Sequence, residues 1–313
     1  MQPTRGPVDK DGRPLIVKLG TIDCDMVEAT TVVWKGALWR GEWVRKQYYK
    51  KKALDADYFR FVNRRSGEVT PPFALGYQLG SAFVDGDAAY AVAVPAWGGD
   101  RVQLFASRDL RRWENWTALG PEHGFSICNT SICKAGGRYV MMFEIDQPAE
   151  QAGVAYTARF ATSEDMKEWT VTPPECVYAK DRYTAPHCLR YLDGYFYDFY
   201  LEASDRNIYI GTEYETRVVR SKDLIHWESS PLNPVLRHSD EDKKIANPKL
   251  SPEERARIAE IRNVNNSDID FAEYEGRLII NYSWGTQMGD EFLAEAIYEG
   301  TQEQFLRGWF PES

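Results

Sequence analysis

Short apolar runs, alternating or rich in aromatic residues, recur along the whole chain, each broken by a polar turn. "VVWKGALW" (32–39), "AFVDGDAAY" (82–90), "ICKAGGRYV" (132–140), "LRYLDGYFY" (189–197) and "FAEYEGRLII" (271–280) share one form: strand, Gly-centred turn, strand. A period near two with β-branched and aromatic residues predicts a strand, and a Gly-containing turn between two such runs predicts a hairpin. The turn glycines Gly36, Gly86, Gly136, Gly194 and Gly276 stand 50, 50, 58 and 82 residues apart. About 50 residues is the span of one four-stranded propeller blade. Five such units predict an all-β fold, a five-bladed β-propeller occupying residues 1–313 as a single domain.

A second repeat follows the hairpins: "SRDLRRW" (107–113), "SEDMKEW" (163–169) and "SKDLIHW" (221–227). Its Ser and Asp can bond nearby backbone and close a tight turn, while the Leu or Met and the Trp return to the blade. A β-sandwich offers no reason for this regularity. The long last interval holds "SDEDKKIANPKLSPEERARIAEIRN" (239–263), where Ser251 is a good N-cap, Pro252 suits the first helical position and two glutamates fill the first turn. It predicts a short helical insertion before the fifth blade. The final segment, "GDEFLAEAIYEGTQEQFLRGWF", reads as an outer strand and a short terminal helix, with Glu291 and Glu295 structural or solvated.

A net charge of −9 argues against a nucleic-acid partner, which needs clustered Lys and Arg. The one basic run, Lys50-Lys51-Lys52, reads as a solvated loop. No apolar stretch is long enough to span a membrane. The N-terminal twenty residues lack the apolar core of a secretory signal, and five cysteines form an odd set without metal-type spacing. Together these predict reduced, mostly buried thiols in a cytoplasmic protein. Aromatic residues make up 13% of the chain, enough to build both strands and the flat platforms on which sugars rest. A homo-oligomer stays open.

Five hairpins followed by the Ser-x-Asp-Leu-x-x-Trp turn resemble the five-bladed propeller glycoside hydrolases, the superfamily of families 43 and 32. The resemblance covers almost the whole chain and implies a sugar pocket at one end of the central channel, where each innermost strand begins. Two sets of positions then meet there. The first is Glu28 and Thr30, Gln78 and Gly80, Asn129 and Ser131, Pro186 with His187 and Cys188, and Asp268 with Asp270. The second is Glu42 and Trp43, Trp97, Glu144, Glu202, and Trp284 with Gln287.

Where family 43 usually begins its first blade with Asp-Pro-Ser, its Asp the base, this chain has "EATTVVWKG" and Glu28. The third blade's usual Ala-Pro-Asp, whose Asp tunes the acid, is replaced by "NTSICKAGG", with Asn129 and Ser131. In the fourth, "TAPHCLRYLDG" keeps Ala185-Pro186-His187 but places Thr184 where the family has its acid Glu. A hydroxyl cannot supply that proton, so the chemistry is lost or the carboxylates have moved. "NNSDIDF" (265–271) favours movement, because Asp268 shares the register of Glu28 and Asp270 lies one pleat below.

The expected enzyme is therefore an exo-acting glycoside hydrolase, and the resemblance to family 43 implies an inverting mechanism. Glu28 is its base, Glu202 its acid and Asp268 the residue that orients the sugar or tunes the acid. Glu202 and Glu144 both follow strongly apolar runs, where lost solvation suits a general acid. Asp25, Trp97, Asn129, Glu144, His187, Asp270, Trp284 and Gln287 are the expected substrate contacts, with Asp25 at the entrance. The partner is a small carbohydrate. No cofactor is expected; a cation in the channel has no ligand motif behind it. The alternatives are a non-catalytic sugar-binding propeller and a glycoside phosphorylase, which needs a cationic cluster for phosphate. Only His187 and Arg40 offer such character among these positions.

Overall fold

The computed structural model describes residues 6–46, 56–203, 213–287 and 289–311; the lysine run at 50–52 lies outside them. Five antiparallel sheets ring one channel. Blade I is built from Thr30–Trp34, Ala37–Val44 and Tyr58–Asn63. Blade II comprises Gln78–Asp85, Ala88–Val94, Val102–Ser107 and Glu114–Leu119. Blade III runs Ser126–Ala135, Arg138–Gln147 and Thr157–Ser163, edged by Thr170–Val171 and Val177–Tyr178. Blade IV runs His187–Leu192, Tyr195–Ala203 and Tyr214–Ser221, edged by Trp227–Ser229 and Leu236–Arg237.

Blade V takes Asn265–Tyr274, Arg277–Gly285 and Glu291–Tyr298 from the end of the chain, and its outermost strand, Val17–Cys24, from the beginning. That strand pairs antiparallel with Glu291–Tyr298, so ladder bonds between the two ends of the chain close the ring.

Every predicted hairpin is present. At Lys35-Gly36, Asp193-Gly194 and Glu275-Gly276 both turn residues have positive φ, the requirement of a two-residue turn whose twist matches its strands. The three copies of the second repeat fold alike. Ser107, Ser163 and Ser221 each accept through Oγ from the backbone N–H of the residue three ahead at 2.9 Å. Asp109, Asp165 and Asp223 each accept from two further N–H groups. The closing Trp binds neighbouring blades together. Trp113 stacks 3.8 Å from Phe73 of the preceding blade, and Trp227 lies 5.8 Å from Phe160 and 5.1 Å from Tyr178. Trp227→Ala removes these ring contacts and leaves the Val177 carbonyl without its indole donor. A loss of about 3 kcal/mol is expected, seen as a melting midpoint several degrees lower with unchanged kcat/KM.

The insertion contains the helix Pro252–Glu260, and Ser251 caps it reciprocally with Glu254. Just before it, the buried carboxylate of Asp242 gathers Lys18, Tyr282, Asn263 and Asn266, which staples the insertion to blade V. The short terminal helix is Gln302–Gly308. Among the described residues no helix is long and apolar enough to cross a membrane.

Candidate functional site

Counting back from the turn glycines leads to one end of the channel. A cavity of ≈ 50 Å³ there is walled by Glu28 and Thr30, Leu79 and Gly80, Asn129 and Ser131, Pro186 to Cys188, and Asp268 to Asp270. These are the expected inner-strand positions, with Leu79 in place of Gln78. The backbone aims them in a way the sequence hides. Glu28, Leu79 and Asp268 occupy the same rung of blades I, II and V with φ of 51°, 50° and 51°. Left-handed backbone costs a non-glycine residue about 1–2 kcal/mol, and such strain gathers at working sites. In blades II and V it coincides with a break in ladder register, which turns the side chain toward the axis.

Glu28 and Asp268 line this cavity, and two further carboxyls, those of Glu144 and Glu291, lie close enough for their fields to be felt. Glu28 is 15% exposed; its Oε1 accepts from Arg45 Nη2 at 2.7 Å, while Oε2 is buried with no hydrogen-bond partner among the described residues. Lost solvation pushes its carboxyl up to about 7 against the pull of Arg45, with Asp268 and Glu291 adding to the rise. Glu144, on the second strand of blade III, is fully buried and accepts through Oε2 from Asn129 Nδ2 at 2.9 Å. Burial holds its carboxyl well above the usual carboxylate range, opposed by the Asn129 donor and assisted by Glu28 and Asp198. Asp268 accepts from the Ser267 hydroxyl at 2.8 Å and is also raised by burial. Glu291 completes the group: lost solvation lifts it to about 7 despite Arg45, and Asp268 contributes.

Glu291 corrects the expectation of a structural or solvated residue. It begins the outer strand Glu291–Tyr298, where it is largely buried and feels the charges of Arg45 and Asp268. Glu295, two pleats further on, does pair structurally, with Arg64. Arg45 was likewise not singled out; it lies flat on Trp43, 4.1 Å from the ring centre, and supplies the positive charge expected of Arg40. Arg40 instead joins Arg60 in clamping buried Glu42. Tyr183 is a further neighbour, its hydroxyl held high by burial and by the fields of Glu144 and Asp268.

Other expected residues lie elsewhere. Glu202 does not line the cavity: Arg182 Nε and the Tyr200 hydroxyl each donate to its Oε2 at 3.2 Å. Trp284 is 0% exposed, stacked 4.5 Å from Phe292 and donating to Thr21, so it is packing and not a platform. Trp97 is 57% exposed on the rim and donates to the Tyr156 hydroxyl. Asp25 is ion-paired with Arg257 of the insertion helix at 2.5 Å. Gln287 accepts from Asn265. His187 does reach the cavity, its Nδ1 donating to Asp198 at 2.8 Å and its Nε2 3.2 Å from the Thr184 hydroxyl. Asp270 accepts from Arg190 at 2.9 Å and from the Thr31 N–H at 2.8 Å, closing the channel one pleat below Asp268.

No protein-family model matches the sequence, and no curated protein matches it. Solved structures do match. One is a putative glycoside hydrolase from Parabacteroides distasonis, 12% identical with a TM-score of 0.60, covering 95% of this chain and 97% of that one. Another belongs to the GH130 family of mannoside phosphorylases, which contains glycoside hydrolases targeting β-1,2-mannosidic linkages in Candida mannan (12% identity, TM-score 0.58, 97% and 96% covered). A third is an α-L-arabinofuranosidase from Podospora anserina in complex with cellotriose (9% identity, TM-score 0.58, 94% and 94% covered). The fold is that of the five-bladed propeller glycoside hydrolases. In this chain blades I, III and V carry Glu28, Glu144 and Asp268, while Thr184, ahead of the first strand of blade IV, hydrogen-bonds His187. Among the described residues no group of three or more His, Cys, Asp and Glu has the arrangement to hold a metal ion.

Proposed function

We propose that this protein is a glycoside hydrolase that removes a terminal sugar from a small oligosaccharide or glycoside. The observation that carries the reading is the gathering of carboxyls at one end of the channel: Glu28 and Asp268 line the cavity, Glu144 lies directly behind Asn129 of its wall, and burial pushes all three up. Glycoside hydrolysis needs one carboxylic acid to protonate the departing oxygen and one carboxylate to activate water. Glu144 fits the acid, because burial raises its carboxyl well above the usual range and so favours the protonated form. Glu28 fits the base: Arg45 holds one of its oxygens and the other is left to take a proton from water. The acid role moves from Glu202 to Glu144 because Glu202 is spent on Arg182 and Tyr200.

In the reaction, water attacks the anomeric carbon as Glu28 takes its proton, and the bond to the leaving oxygen breaks as Glu144 protonates it. A single displacement of this kind inverts the anomeric centre. No cofactor enters the balance. The narrow cavity, closed at depth by Asp270 and Arg190, suits a chain end rather than a chain interior. Five unpaired, buried cysteines fit a reducing compartment, the cytoplasm.

Phosphorolysis is disfavoured, because the mouth gathers carboxylates and its Arg45 is already bound to Glu28. A panel of aryl glycosides, assayed with and without inorganic phosphate, is expected to show turnover that phosphate does not accelerate. Phosphate-dependent turnover assigns a phosphorylase. Saturable sugar binding with no turnover of any glycoside assigns a binding protein.

A further inference from the structure

The channel also opens at its other end. Just before the turn glycines, all five innermost strands surround a cavity of ≈ 330 Å³, against ≈ 50 Å³ at the sugar end. Ala82 and Ala272 in its wall leave space that longer side chains would fill. The rest of the wall is mostly apolar, with Val33, Val84, Ile132, Tyr191 and Phe271. Its size falls at the lower end of small-molecule pockets, about 300–1,000 Å³.

One charged side chain of this wall is largely buried. Arg190 is 16% exposed and pairs with Asp270 at 2.9 Å. Asp270 lines the sugar cavity, so this ion pair divides the two spaces. The guanidinium lies 4.8 Å from the centre of the Phe271 ring. Its Nη2 donates to Asp270 and to the Phe271 carbonyl, and its Nη1 to the Leu189 carbonyl. Its Nε has no hydrogen-bond partner among the described residues. A guanidinium has five donors and keeps its charge, so the remaining acceptors must come from solvent or from a ligand.

The rim limits what such a ligand can carry. Lys134 donates to Asp85 at 2.8 Å, and the two charges offset each other. Glu273 accepts from the backbone N–H of Gln302, where the terminal helix starts, and has no ion pair among the described residues. It stands two residues beyond Phe271, about 7 Å along an extended strand. One anionic group on a ligand is drawn to Arg190, while a second would meet Glu273. The sugar cavity, lined by the carboxyls of Glu28, Asp268 and Asp270, is a poor place for any anion.

We propose that this end of the channel binds a small monocarboxylate with an apolar body, its carboxylate on Arg190 and its body among Val33, Val84, Ile132 and Tyr191. The site is separate from the sugar cavity, and its existence does not depend on the hydrolase reading.

Calorimetric titration of the whole chain with benzoate, benzamide, phthalate and inorganic phosphate tests it. Benzoate is expected to bind with a Kd of about 1 mM, the affinity open to a ligand of this size. Benzamide lacks the charge and phthalate carries a second one, so both should bind at least about tenfold more weakly. Val84→Trp, which fills the cavity, should abolish benzoate binding with the melting midpoint retained, and Val33→Phe is the second filling variant should the first not fold. Glu273→Gln should tighten benzoate about threefold, the effect of one charge at about 7 Å in water. Arg190→Gln is made together with Asp270→Asn, so that no carboxylate is left buried alone, and should bind no benzoate. Absence of benzoate binding at 20 mM overturns the proposal, as does equal binding of benzamide. Binding that survives both the filled cavity and the loss of Arg190 places the ligand elsewhere and overturns it too. Phosphate binding in place of benzoate removes the apolar body from the ligand, and with it the assignment.

Discussion

Glu144→Gln is expected to lower kcat/KM on phenyl glycosides by about 10³-fold while leaving 2,4-dinitrophenyl glycosides within about tenfold of wild type. The difference follows from what the residue supplies. A phenolate leaves poorly without a proton, whereas dinitrophenolate leaves unaided, so only the first reaction depends on the acid. The amide keeps the shape of the side chain and can still meet Asn129, which holds structural disturbance small. The variant should also lose the alkaline limb of its pH profile, since that limb reports deprotonation of the acid. Initial rates across pH on the two substrates decide the matter. Equal loss on both, or an alkaline limb that survives, shows that another group donates the proton.

Much of this site was legible because the hairpins act as rulers. A turn glycine fixes the start of its innermost strand by counting, and the side-chain period of two then chooses the channel face. Glu28, Asn129, His187, Asp268 and Asp270 all reached the cavity on that basis. The second-strand positions were less legible, and Glu144 and Glu202 show why. Both follow apolar runs at equivalent places and keep regular register with the outer strand, yet on the inner side Glu144 sits at a slip within the ladder while the ladder of blade IV ends before Glu202. Sequence period says nothing about such a slip. Nor does it reveal that Glu28, Leu79 and Asp268 take a backbone region usually left to glycine. Glu291 was hidden by its own strand: the run "EFLAEAIY" has the alternation of an outer edge, and nothing in it shows that its first residue is buried within the fields of Arg45 and Asp268. Trp284 fell the other way, because a strand-top tryptophan beside glycine reads alike whether it faces a ligand or, as here, Phe292.

Glu28→Gln should remove hydrolysis of phenyl and dinitrophenyl glycosides alike, by about 10⁴-fold. Activation of water is needed whatever group departs, so the base, unlike the acid, cannot be rescued by a better leaving group. The pH profile carries the same logic. Glu28 must be ionised to act, and with its carboxyl pushed up to about 7 the rate should rise as pH passes through that value. Glu144 keeps its proton well beyond the ordinary carboxylate range, so the fall comes only on the alkaline side. A bell-shaped profile is therefore expected, with Glu28 setting an acidic limb near 7 and Glu144 the alkaline limb. Arg45→Met tests the lower limb separately. Arg45 favours the ionised form of Glu28, so its removal raises the Glu28 titration point and the acidic limb should move to higher pH, with the alkaline limb little changed. An acidic limb that lies near pH 4 in wild type and ignores the loss of Arg45 would mean that the base is a better-solvated carboxylate than Glu28, and with it the pairing of roles across this cavity would have to be redrawn.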